Sequence, residues 1–248
     1  MKTESAIITE NLTKRFDRFT AVDAISFQVA KGEIFGFLGA NGAGKITAMR
    51  MLCGLSRPTS GNASVAGFDV YKQTEDIKRN IGYMSQKFSL YEDLTVKENM
   101  QFYGGIYGKS DAFIKEKTAY VLEELHLEQE AKKLVKSLPL GWKQKLAFSV
   151  AIFHEPGIVF LDEPTGGVDP VTRREFWSLI YQAAEQGITV FVTTHYMDEA
   201  EYCNRISIMV DGKIEALDTP SGLKRTFEAE SMDEVFLKLA RKAVRTAD

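Results

Sequence analysis

Seven residues, Gly39-Ala40-Asn41-Gly42-Ala43-Gly44-Lys45, carry three glycines and end in a lysine. Glycines at this spacing let successive backbone N–H groups turn inward on an anion, and a lysine opening the next helix brings its charge to the same anion. The chemistry is phosphate binding. Ile158-Val159-Phe160-Leu161-Asp162-Glu163 adds an apolar run that ends in two carboxylates. Asp162 at the tip suits a divalent cation, directly or through water, and Glu163 suits a general base for an attacking water. Taken singly, these could be a glycine-rich turn with a chance lysine and an acidic surface turn. Taken together they are the parts of a machine that cleaves a nucleoside triphosphate.

One position breaks the pattern. The residue after the lysine is Ser or Thr in such loops, and its hydroxyl binds Mg²⁺. Here it is Ile46, with Thr47 one place late. A helix turns about 100° per residue, so Thr47 is expected to point away from the metal. Ile46 is then expected to weaken metal handling more than nucleotide binding.

These groups work only if strands and helices bring them together. The 248 residues, 44% apolar and 26% charged, allow one large α/β domain or two small ones, with an ample core. Short β-rich runs alternate with helical ones, which predicts a mostly parallel sheet covered by helices. Strands are expected at Ala6–Ile8, Ile25–Val29, Glu33–Leu38, Ile158–Leu161 and Thr189–Thr193, and a hairpin at Ile206–Val210 and Ile214–Leu217 around Asp211-Gly212-Lys213. Helices are expected at Thr47–Leu55, Phe113–Leu125, Trp142–Phe153 and Val171–Glu185. The stretch from about Thr95 to Phe153 has few strand signals and reads as a helical insertion. Met232–Val244 is amphipathic, with Val235, Phe236, Leu239 and Ala243 on one face. The net charge of −3 gives no pull toward nucleic acid. No apolar run reaches the roughly 20 residues of a membrane span, and Met1–Glu10 does not read as a secretory signal. Cys53 and Cys203 read as buried free thiols of a reducing compartment.

Further motifs, in order along the chain, resemble the ABC ATPase family over nearly its whole length. Gln86, after Ile81-Gly82-Tyr83-Met84-Ser85, looks like the glutamine that senses metal and attacking water. Glu163-Pro164-Thr165-Gly166-Gly167-Val168-Asp169-Pro170 looks like the catalytic glutamate running into the D-loop. His195, after Thr193-Thr194, looks like the histidine that contacts the γ-phosphate, and Phe16 like the aromatic that stacks on adenine. The signature segment departs from the family's Leu-Ser-Gly-Gly pattern: it reads Leu138-Pro139-Leu140-Gly141-Trp142-Lys143-Gln144. Proline is tolerated in a first helical turn, so the helix and its amides survive. His195–Glu201 and Tyr91–Asn99 are similar to the branch that serves drug, lipid and polysaccharide exporters.

The resemblance implies a P-loop NTPase (RecA-like) core with an N-terminal antiparallel β subdomain and a helical subdomain inserted at roughly 87–155. The ATPase domain would span 1–228, with a C-terminal helix over 229–248. It implies ATP and Mg²⁺ as ligands, with Gly39–Thr47 and Phe16 on the nucleotide and Asp162 and Gln86 at the metal. Glu163, His195 and Gln86 would carry the chemistry. Two such domains, identical or not, would meet head to tail, so that Leu140, Gly141, Trp142 and Gln144 of one face ATP on the other. A membrane permease would be the second partner, docking on the Phe88–Tyr91 stretch, and the chain would lie on the cytoplasmic face of the membrane. A nucleotide switch with little hydrolysis, and an ABC ATPase unconnected with transport, remain alternatives. His126 and His154 are expected to be structural.

Overall fold

The computed structural model describes residues 4–87 and 89–245, with side chains described through residue 240. The chain opens on two long antiparallel strands, β1 (Ser5–Phe16) and β2 (Phe19–Ala30), followed by β3 (Ile34–Leu38), α1 (Lys45–Leu52), β4 (Ser60–Val65) and β5 (Phe68–Asp69). Then come α2 (Thr74–Asn80), β6 (Ile81–Met84), and three helices, α3 (Val96–Ile106), α4 (Asp111–Glu124) and α5 (Leu140–Ala151). The chain returns through β7 (Ile158–Asp162), α6 (Pro170–Glu185), β8 (Thr189–Thr194), β9 (Arg205–Val210) and β10 (Lys213–Asp218). It ends in α7 (Pro220–Thr226) and α8 (Met232–Arg245).

Two sheets result. One is antiparallel, in the order β2-β1-β4-β5; the other runs β10-β9-β3-β8-β7-β6 and is parallel except for its β9–β10 hairpin. Strands β3, β7 and β8 are buried along their whole length, as expected of a parallel sheet covered on both faces. The pleat sorts their side chains. Ile34, Leu38, Val159 and Leu161 join a core with the helices, while Phe35, Phe37, Ile158 and Phe160 join a core with the antiparallel sheet and α1. Phenylalanines dominate the second core: Phe27 of β2 stacks on Phe35 at 5.5 Å, and Phe191 packs on Phe37 and Phe160 at 5.2 and 5.3 Å. Burying each such ring stabilises by about 1.5–3 kcal/mol, which fastens the antiparallel sheet to the parallel one.

Several boundaries differ from the sequence reading. The first two strands run to twelve residues each, because register shifts and left-handed residues at Asn11 and Ala24 break the alternation without breaking the pairing. Helix α1 starts two residues early at Lys45 and stops at Leu52, where Gly54, at φ 68°, ends it. Strands β4, β5 and β6 and helices α2, α3 and α7 carry no strong periodic signal of their own. Helix α8 puts Met232, Val235 and Leu239 into the same core as α5 and α6. Ala243 lies beyond the described side chains.

Candidate functional site

The parallel pairing aligns the strand ends that the site needs. Leu38 pairs with Thr194, Asp162 with Thr193, and Met84 with Leu161. Gly39, Asp162, His195 and Gln86 therefore leave one edge of one sheet, where ligands of open parallel sheets bind.

Gly39 and Gly44 have φ of 155° and 104°. A Cβ at Gly39 would overlap the Met209 carbonyl oxygen, and one at Gly44 the Ala21 carbonyl oxygen. Only glycine fits at either position. The Gly212 amide donates to the Ala43 carbonyl at 3.1 Å and pins the loop to the β9–β10 turn. Ala40, Asn41 and Gly42 are exposed at its crest. Lys45 is buried, and its Nζ donates to the Gly39 and Ala40 carbonyls at 2.6 and 3.1 Å. Burial lowers its pKa, against the opposing pull of Glu163 and Asp162. Ile46 is 46% exposed in the first turn of α1, an apolar side chain where a hydroxyl is expected, and Thr47 is half-buried. Phe16 stands exposed at the β1–β2 tip with the Lys14 ammonium 5.0 Å over its ring. The same hairpin supplies Ala21 against Gly44.

Asp162 is buried at the end of β7. Burial raises its pKa, with the Thr193 hydrogen bond opposing, Glu163 adding to the rise and Lys45 opposing it. The Thr193 hydroxyl donates to its Oδ1 at 2.8 Å. Glu163 adopts a left-handed backbone at φ 47°, a costly conformation for a residue with a Cβ. Its amide is held by the Thr193 carbonyl at 3.1 Å and hydroxyl at 3.2 Å. The turn aims Glu163 Oε2 at two neighbours: Gln86 Nε2 donates to it at 3.1 Å, and His195 Nδ1 lies 3.2 Å away. Two residues from the ends of β6 and β8 thus converge on one carboxylate oxygen at the end of β7. Thr193, which the motifs do not single out, braces both acids; the signal in the sequence is a hydroxyl at the end of a buried strand.

The signature residues form a second surface. Pro139 precedes α5, and Leu140 is exposed while Gly141 and Trp142 are half-buried. A Cβ on Gly141 would come 2.5 Å from Thr172 Cγ2. Gln144, expected to face a nucleotide, is instead 1% exposed, and its amide donates to the Gly166 carbonyl at 3.1 Å. Its length is used inside the chain, tying α5 to the turn after Glu163. Asp169 caps α6, accepting from the Val171 and Thr172 amides at 2.9 and 3.1 Å.

The remaining expectations fall to the core and the helical surface. His154 is buried, with Nε2 3.1 Å from the Ile81 carbonyl and its ring stacked on Tyr107; burial lowers its pKa to about 4. Cys53 and Cys203 are buried and free, and burial raises both pKa values. Of the Phe88–Tyr91 stretch, Phe88 lies outside the described residues. Leu90 is buried, and Tyr91 is exposed with Phe102 edge-on at 4.7 Å.

Residues 22–166, more than half of the chain, match the family model described as ABC transporter. The chain belongs to the ABC transporter family. Among ABC proteins it is 47% identical, over 95% of its length, to the probable multidrug ABC transporter ATP-binding protein YbhF of Escherichia coli K12. It spans only 42% of that relative. It is 40% identical to the linearmycin resistance ATP-binding protein LnrL of Bacillus subtilis 168, covering 86% of this chain and 69% of the relative. A solved ATP-binding subunit of an ABC transporter superposes with a TM-score of 0.86 at 26% identity, over 95% of this chain and all of that one. The ABC ATPase fold is thus shown by both sequence and structure.

Proposed function

We propose that the chain is the ATP-hydrolysing subunit of an ABC exporter. The observation that carries this is the convergence of Gln86 and His195 on Glu163 beside the phosphate loop. Loop amides and Lys45 would grip the phosphates once Lys45 exchanges its two carbonyls for phosphate oxygens. Phe16 would stack on the adenine. Glu163 takes the proton as water attacks the γ-phosphorus; the bond to the bridging oxygen breaks and its electron pair leaves with ADP. Gln86 and His195 hold the water and the γ-phosphate in line, so the rate comes from positioning and electrostatics.

Mg²⁺ suits this donor set when it arrives on the nucleotide. Asp162 is a buried carboxylate at the strand end that takes one hydrogen bond, from Thr193 to its Oδ1, Gln86 adds an amide oxygen, and Ile46 adds nothing. The ion would neutralise charge developing on the phosphates.

Two copies, or one copy and a related domain, would close head to tail on ATP, with Leu140, Gly141 and Trp142 facing the partner's nucleotide. Gln144 would brace that surface from within. No helix among the described residues is long and apolar enough to cross a membrane. The second partner in this reading is a membrane permease. Tyr91 and its aromatic neighbours are the proposed docking surface, on the cytoplasmic face of the membrane. The exporter branch follows the relatives named above. A nucleotide switch with little turnover is the second reading, favoured by Ile46 and Pro139.

The test is Glu163→Gln. It is expected to bind ATP as the parent does, to lower phosphate release by about 10²–10⁴-fold, as loss of a general base does, and to accumulate as an ATP-bound dimer on sizing. A parent chain with measurable turnover that Glu163→Gln leaves unchanged would remove the glutamate from this role.

A further inference from the structure

His195 is buttressed from behind. Its ring lies 4.2 Å, centroid to centroid, from that of Tyr196. The guanidinium carbon of Arg173 sits 4.3 Å from the Tyr196 ring centroid, within cation–π range. Arg173 stands in the first turn of α6, just past the Asp169 cap. Its charge is met by the 3-10 turn Met197–Tyr202: Nη1 donates to Asp198 Oδ2 at 3.1 Å, and Nε lies 3.5 Å from Glu199 Oε1. Glu199 is 0% exposed. It also accepts a hydrogen bond from the hydroxyl of Thr165, two residues after Glu163. The Tyr196 amide donates to Thr194 Oγ1 at 3.0 Å, fixing the start of the turn.

Stability alone does not account for this. A buried ion pair costs several kcal/mol of desolvation per ion, and apolar residues in its place are often as stable or more so. Glu199 Oε2 and Arg173 Nε also find no hydrogen-bond partner among the described residues. What the arrangement does achieve is geometric. A single buried carboxylate joins the turn that follows His195 to the segment that carries Glu163, and the Arg173 guanidinium over the Tyr196 ring, itself tilted 35° against the imidazole, passes that constraint to His195.

We propose that Glu199, Arg173 and Tyr196 are positioning residues that hold His195 against Glu163 for the hydrolytic step. The proposal rests on the ATPase reading above. It is tested by steady-state ATP hydrolysis of the purified chain, with nucleotide affinity measured separately by a fluorescent ATP analogue. Tyr196→Leu is expected to lower kcat about tenfold or more with KM and analogue affinity held within about twofold, because small misplacements of a reacting group are costly while binding is untouched. Tyr196→Phe keeps the ring face and is expected to stay within about twofold of the parent. Arg173→Lys keeps the charge but loses the guanidinium that reaches both Tyr196 and the Asp198–Glu199 carboxylates, and is expected to lower kcat about threefold or more at unchanged KM, whether or not Tyr196→Leu folds.

The decisive arm is the pair His195→Ala and His195→Ala/Tyr196→Leu. Residues that act as one unit are not additive, so the double variant is expected within about twofold of His195→Ala alone. Equal losses from Tyr196→Leu in the parent and in the His195→Ala background would overturn the proposal, as would unchanged kcat in both Tyr196→Leu and Arg173→Lys. A parent whose turnover ignores both Glu163→Gln and His195→Ala would instead overturn the ATPase reading itself.

Discussion

The corner around Glu163 and the surface around Gly141 are built in opposite ways. At the first, Gln86, Glu163 and His195 leave the ends of β6, β7 and β8 and meet within 3.2 Å. Thr193 braces the acids from the sheet interior. Every side chain proposed for this corner comes from one chain. At the second, Leu140, Gly141 and Trp142 reach the surface, while Gln144 and Thr172 fix it from beneath. In the proposed function, that surface would gain a role only when another domain brought a nucleotide to it. The chain would then carry a preorganised hydrolytic corner and still need a partner before it turned over.

That contrast can be broken or sharpened. The largest effect expected is that of Glu163→Gln, which should disable the corner while leaving the signature surface intact. Next is Ile46→Thr. In the proposed site, the apolar side chain after Lys45 would leave the cation one protein ligand short. If about 2–3 kcal/mol of transition-state stabilisation is missing, restoring the hydroxyl should raise turnover roughly 30- to 150-fold. The Mg²⁺ concentration for half-maximal turnover should fall, with ATP affinity in the absence of metal unchanged. Equal Mg²⁺ titrations in the two proteins would mean that the site is already complete.

Thr193→Val should cost less but act twice. It leaves a buried carboxylate without its donor, which costs about 1–3 kcal/mol, so the thermal midpoint should drop and turnover should fall together. A fall in turnover alone would mean that Thr193 braces the chemistry without supporting the fold. Gly141→Ala is the mildest. The added methyl meets Thr172 Cγ2 at 2.5 Å, and the start of α5 must shift by a fraction of an ångström. Turnover should fall about tenfold, as small misplacements near reacting groups do, with single-domain ATP binding unchanged. A loss of ATP binding by the isolated domain would show that the two regions are not separate.

The sequence by itself determined the phosphate loop, the acidic strand end and the departures at Ile46 and Pro139. Each is contiguous, and each needs only a strand or helix with a glycine where a side chain cannot go. It also marked β3, β7 and β8 as buried strands, because such apolar runs fit inside a sheet covered on both faces. It did not set the ends of β1 and β2, whose bulges scramble the alternation, nor β6, which is too short to show a period. The tertiary structure alone decided what surrounds the motifs. Thr193 becomes a brace only because β7 and β8 pair with Asp162 opposite Thr193. Gln144 turns inward only because the Gly166 carbonyl lies within its reach. Glu199 acquires partners from α6 and from the turn after Glu163 only once both are folded against it. Contacts between residues far apart in the chain depend on strand register and helix docking, and these are set by the summed burial of both cores rather than by any local run of residues.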